Sequence, residues 1–88
     1  MKDYLSTTEL GWVLGRSAGS IRTMIRNGDV EGVRLPGGFR VPRDEVLRVS
    51  REQVEEKAGR KLDDRALERL VDEVIETNRA RTTDPTHG

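Results

Sequence analysis

Between Leu14 and Ala18 the chain has only Gly15, Arg16 and Ser17 in which to stop one helix and start another. No other feature narrows the possible folds as much. Ser6-Thr7-Thr8-Glu9 reads as a capping box: the Ser6 hydroxyl takes the Glu9 amide, and the Glu9 carboxylate reaches back to Ser6. A first helix then runs to about Leu14, with Leu10, Val13 and Leu14 on one face and Leu5 placed to staple its start. Gly15 suits a left-handed stop. Ser17 can cap a second helix over about residues 18–26, where Ile21, Met24 and Ile25 fall on one face and Asn27-Gly28 ends the run. Two short helices joined this tightly form a helix-turn-helix pair.

A hairpin follows. Val30 to Leu35 reads as a strand with Val33 and Leu35 on one face, and Pro36-Gly37-Gly38 as a turn. Phe39-Arg40-Val41 returns with Phe39 and Val41 on one side, and Pro42 suits the strand end because it has no N–H to donate. Arg34 and Arg40 are expected on the polar face. Strands this short are unstable alone and need the helices behind them. Asp44 begins a third helix with Val46, Leu47, Ser50 and Val54 inward, and Gly59 breaks it. Asp63 or Asp64 opens a fourth helix reaching about Asn78. Ala66, Leu67, Leu70, Val71, Val74 and Ile75 form its apolar stripe, opposite Glu68, Arg69, Asp72, Glu73 and Glu76. That stripe needs cover, either from the chain's own core or from a neighbouring molecule. Trp12 is expected to be partly buried against the hairpin or the third helix.

The expected fold is therefore mainly α with one small β-hairpin, a winged helix-turn-helix followed by a C-terminal amphipathic helix. Residues 1–58 are expected to form the winged helix-turn-helix domain, 59–81 a C-terminal helix for packing or oligomer contacts, and 82–88 a flexible tail. At 88 residues and 33% hydrophobic content, one small domain with a small core is expected. The absence of cysteine excludes disulfides and thiolate zinc sites. No apolar run approaches a membrane span, and Met1-Lys2-Asp3-Tyr4 opens no signal-peptide apolar region, so a cytoplasmic protein is expected.

Charged residues reach 36% with a net charge of zero, yet they are unevenly spread. Residues 16–28 carry Arg16, Arg22 and Arg26 and no acid before Asp29; residues 32–43 carry Arg34, Arg40 and Arg43 and no acid. Arginine suits planar recognition of phosphates and guanine edges. A helix fixed by Ile21, Met24 and Ile25 would project Ser20, Arg22, Thr23 and Arg26 to one side, with Arg16 and Ser17 at its amide-rich start. Arg34, Gly37, Gly38, Arg40 and Arg43 are the matching candidates on and after the hairpin. Gly37 and Gly38 let backbone approach DNA closely. Nothing points to catalysis, a metal or a cofactor: His87 is a tail residue, Asp63-Asp64 suits a helix N-terminus, and Glu55-Glu56 a solvated face.

The run Ser17-Ala18-Gly19-Ser20-Ile21-Arg22-Thr23-Met24-Ile25-Arg26-Asn27-Gly28 resembles the recognition helix and cap of MerR-type and excisionase-type winged helices. Gly37-Gly38-Phe39-Arg40-Val41-Pro42-Arg43-Asp44-Glu45-Val46 resembles their wing tip and following helix. The resemblance covers about residues 4–55 and is nearest to phage excisionases (recombination directionality factors) of actinobacterial phages. It implies that Arg22 and Arg26 contact phosphates or bases, and that Arg40 acts from the wing. It further implies copies bound cooperatively at adjacent sites, bent DNA, and help to a phage integrase during prophage excision in a bacterial host. Gly19 and Thr23 depart from the larger polar readers that family members can carry there, which weakens base readout at each site. A small MerR-like transcription regulator would use the same residues. A protein-interaction adaptor or antitoxin is the reading without DNA. If the fourth-helix stripe is left open, Leu67, Leu70, Val71, Val74 and Ile75 are its candidate protein contacts.

Overall fold

In the computed structural model, which describes residues 1–82, both halves of the capping box are made. Ser6 Oγ accepts from the Glu9 amide at 3.1 Å, and the Glu9 carboxylate accepts from the Ser6 amide at 2.9 Å. The element order is β1 (Tyr4–Ser6), α1 (Thr7–Leu14), α2 (Ala18–Arg26), β2 (Val33–Leu35), β3 (Gly38–Pro42), α3 (Arg43–Ala58) and α4 (Asp64–Thr82). Gly15 ends α1 at φ 68°, and the Ser17 side chain caps α2 through the Ser20 amide. Gly11 sets how closely the turn returns to α1. A Cβ there would stand 2.5 Å from the Arg16 carbonyl oxygen, a backbone atom that cannot swing away.

The architecture is mainly helical, with a three-stranded antiparallel sheet in the order β1-β3-β2. A hairpin alone was expected, and the sheet gains a strand. Tyr4, Leu5 and Ser6 pair with Pro42, Val41 and Arg40, so the lead-in to α1 closes the free edge of β3. Nothing local in Tyr4-Leu5-Ser6 announces a partner so far along the chain. The second strand is also shorter than expected. Val30 lies in the core, 1% exposed, but its amide bonds the Met24 carbonyl, so it belongs to the connection after α2.

The hairpin register corrects the placement of its arginines. Val33 pairs with Arg40 and Arg34 with Phe39, and directly paired residues share a face. Arg34 therefore stands with Phe39 and Val41, while Arg40 stands with Val33 and Leu35. There is no single polar face. α3 begins at Arg43, one residue before Asp44, because Pro42 supplies the extended N-cap and the Arg43 amide bonds the Asp3 carbonyl at 2.8 Å.

One core joins all the layers. Leu5, Leu10, Ile21, Val41, Val46, Leu67 and Val71 are all fully enclosed in it. The α4 stripe is thus covered by the chain's own core. Of the five residues offered as protein contacts, Leu67, Val71 and Ile75 are buried inside, and only Leu70 and Val74 stay half-exposed. Those two line an apolar hollow of about 230 Å³ with Trp12 and the end of α3. Trp12 lies with residues of α3 and α4. α4 opens on Asp63, whose side chain accepts from the Ala66 amide at 2.8 Å, and it runs past Asn78 to Thr82. The rest of the tail assigned to 82–88, with His87, lies outside the described residues.

Glu9 ties the ends together. The residue is 8% exposed, and its carboxylate pairs with Lys2 at 3.4 Å and with Arg79 in the last turns of α4. Burial opposes its ionisation, yet the Ser6 amide, Lys2 and Arg79 together hold its pKa below the usual carboxylate range. Among the described residues, no helix is long and apolar enough to cross a membrane.

Candidate nucleic-acid interface

Ile21 is fully buried and anchors α2 on α1, which leaves Arg22 and Arg26 on the open side. The hairpin stands beside them. Between the two lies a groove of about 280 Å³ lined by Arg22, Arg26, Arg34 and Arg40, with Thr7, Gly37, Gly38 and Phe39. No acid lines it. Among the described residues the ion pairs fall elsewhere, on Lys2, Arg43, Arg48, Arg51, Arg79 and the terminal ammonium. Among the described residues none of the four groove guanidiniums has a carboxylate within bridging distance.

Arg40 reaches the groove by crossing the hairpin tip. Its Nη1 donates to the Phe39 carbonyl at 2.9 Å. The guanidinium lies 3.5 Å from where a Cβ on Gly37 would be, and 3.9 Å from one on Gly38. Gly38 also has φ 118°, a conformation that side chains resist. The bare tip therefore lets an arginine from the outer face of the sheet fold over it.

Other expected site residues sit apart from the groove. Arg43 turns to α4 and pairs with Glu68 at 3.5 Å. Arg16 is exposed in the α1–α2 turn, outside the lining. Ser17 Oγ donates to Ser20 Oγ at 3.1 Å, and Thr23 Oγ1 donates to the Gly19 carbonyl at 3.1 Å. Each hydroxyl has one proton to give. In this arrangement Ser17 and Thr23 give theirs to neighbours at the cap and within α2.

A buckle on α3, not foreseen from sequence, sets the spacing between α2 and the hairpin. The buried Glu45 carboxylate accepts the Glu31 amide at 2.7 Å and grips Arg48 with two bonds of 2.6 Å. Arg48 also donates to the Asp29 carbonyl at 3.3 Å. The α2–β2 connection is thereby pinned to α3. Glu45-x-x-Arg48 is visible in sequence as an intrahelical pair, but its reach to residues 29 and 31 requires the fold. The Arg48 hydrogen bonds, helped by the Glu31 amide, hold the Glu45 carboxyl below its ordinary range against the effect of burial.

A depressed folded-state pKa stabilises the fold above the unfolded-state value, and that stabilisation is lost as pH falls through the folded value. Melting temperature should therefore drop more steeply below about pH 5 in the wild type than in Glu45→Gln. At neutral pH the variant should melt lower. Parallel pH profiles for the two proteins would refute this role for the charge.

No family model matches the chain, and no curated protein and no solved structure matches it either.

Proposed function

We propose that this protein is a winged helix-turn-helix binder of double-stranded DNA, with α2 as the recognition helix and β2–β3 as the wing. The observation that carries this reading is the acid-free groove in which Arg22, Arg26, Arg34 and Arg40 converge. Duplex DNA presents a negative charge about every 1.7 Å of axis. Its major groove is about 12 Å wide, close to the diameter of a helix with its side chains. The zero net charge is no obstacle, because acids are concentrated after Asp44, away from the groove.

The hydroxyls of Ser17 and Thr23 are engaged in local hydrogen bonds, so arginine supplies most of the donors. Affinity then comes mainly from phosphates and guanine edges, with modest direct readout from α2. The excisionase resemblance extends the reading to an architectural role: copies on adjacent sites bend the DNA and direct integrase-mediated excision. Cooperation between copies cannot draw on Leu67, Val71 and Ile75, which are enclosed.

Fluorescence anisotropy on a mixed-sequence duplex across a salt series tests DNA binding. Each phosphate contact contributes a slope of about −0.9 in log K against log salt, so three or four contacts predict about −3 to −4. Binding that is absent or insensitive to salt would overturn the reading.

A further inference from the structure

The outer face of the small sheet carries a feature that the arginine groove does not use. Leu5 and Val41, paired across β1 and β3, are fully buried on the inner face. Tyr4, Val33 and Leu35 are 48%, 40% and 42% exposed, the exposed large hydrophobics among the described residues. The register puts all three on the outer face. Tyr4 lies on one edge strand. Val33 and Leu35 lie on the other, beside the tip.

At the tip, Leu35 pairs with Gly38, so its side chain stands next to a position that has none. Pro36 and Gly37 complete a narrow end. Arg40 lies across this end, and Arg34 adjoins Leu35 on the opposite face. An apolar side chain flanked by two unneutralised guanidiniums suits a partner that is negative and presents apolar walls in a narrow slot. Another protein's apolar surface would strand both charges. The minor groove, about 6 Å wide and strongly negative where narrow, supplies both requirements. Apolar wedges there unstack a base step and kink the duplex.

We infer that Leu35 is a minor-groove wedge, inserted beside the major-groove segment held by α2 and seated by Arg40. This rests on the DNA-binding reading. The wedge supplies the bend and a preference for base pairs with an unobstructed minor groove.

The test uses the full chain, a short mixed-sequence duplex with dyes at both ends, and the same duplex with inosine in place of guanine. Inosine leaves the major-groove edge of the pair intact and removes the 2-amino group from the minor groove. The wild type should prefer the inosine duplex and raise end-to-end energy transfer on binding. Leu35→Ala should bind about five-fold more weakly, as expected for losing part of one leucine's burial, with the salt slope unchanged. Its inosine preference and its bend should disappear. Tyr4→Ala, equally exposed on the far edge, should behave as the wild type. An unaltered preference and bend in Leu35→Ala overturns the wedge while leaving DNA binding standing. So does a DNA-free oligomer that Leu35→Ala dissociates, since a second copy would then be what covers this face. A wild type that binds neither duplex in a salt-dependent way overturns both readings.

Discussion

Deleting residues 60–88 should unfold what is left, and residues 1–59 should not fold alone. Leu62, Leu67, Val71 and Ile75 are between 0% and 7% exposed and share one core with α1, β1 and α3. Each buried aliphatic side chain contributes about 1.5–3 kcal/mol, so their loss removes on the order of 6–12 kcal/mol, an upper bound because unfolded chains already bury some surface. Domains of this kind hold about 5–15 kcal/mol in total. The removed stabilisation is comparable to all of it. Arg51 would also lose its links to the Leu62 carbonyl and to Asp64. Circular dichroism of the truncated chain should show little helix and no cooperative melt. A truncated protein melting within a few degrees of the full chain would show that α4 is dispensable.

Arg22→Ala and Arg26→Ala should each weaken duplex binding by about 1–3 kcal/mol, roughly five- to 150-fold, if the lost contact is to a base. A lost phosphate contact should instead reduce the salt slope by about 1. Both side chains are exposed, so melting temperature should not move. Arg16→Ala is the informative comparison. It removes the same charge from a side chain outside the groove and should weaken binding less. Equal losses at all three positions would mean that net charge matters and the groove does not. Anisotropy titrations at two salt concentrations distinguish these outcomes.

The parts of the fold that were legible in sequence are those governed by neighbours in the chain. Ser6 and Glu9 cap α1 because the donors and acceptors are three residues apart. Gly15, Ser17 and Gly59 act where helix ends need positive φ or a side-chain cap. The α4 stripe was readable from its period, though its cover was not, because periodicity reports which face is apolar and not what lies against it. Tyr4-Leu5 was readable as extended, but its pairing was not, because its hydrogen bonds go to a strand after α2. The opposed faces of Arg34 and Arg40 follow from pairing Val33 with Arg40, a register that alternation within β3 alone could not reveal. In the groove, Arg22, Arg26, Arg34 and Arg40 were visible as an acid-free cluster. Thr7 and Phe39 join them only through packing, and Arg43 leaves them because Glu68 lies within reach on α4.

The Glu9 carboxylate joins the start of α1 on one side to Arg79 on the other. A chain emerging from the ribosome makes α1 and α2 early, but their covering helix arrives last. Until residues near 79 are free, the first two helices have an incomplete core and their acid has no arginine. Folding should therefore be a single step that waits for the release of α4, slowed by contacts so distant in sequence. Until that step, the apolar faces of α1 and α4 stay open to chaperones and proteases.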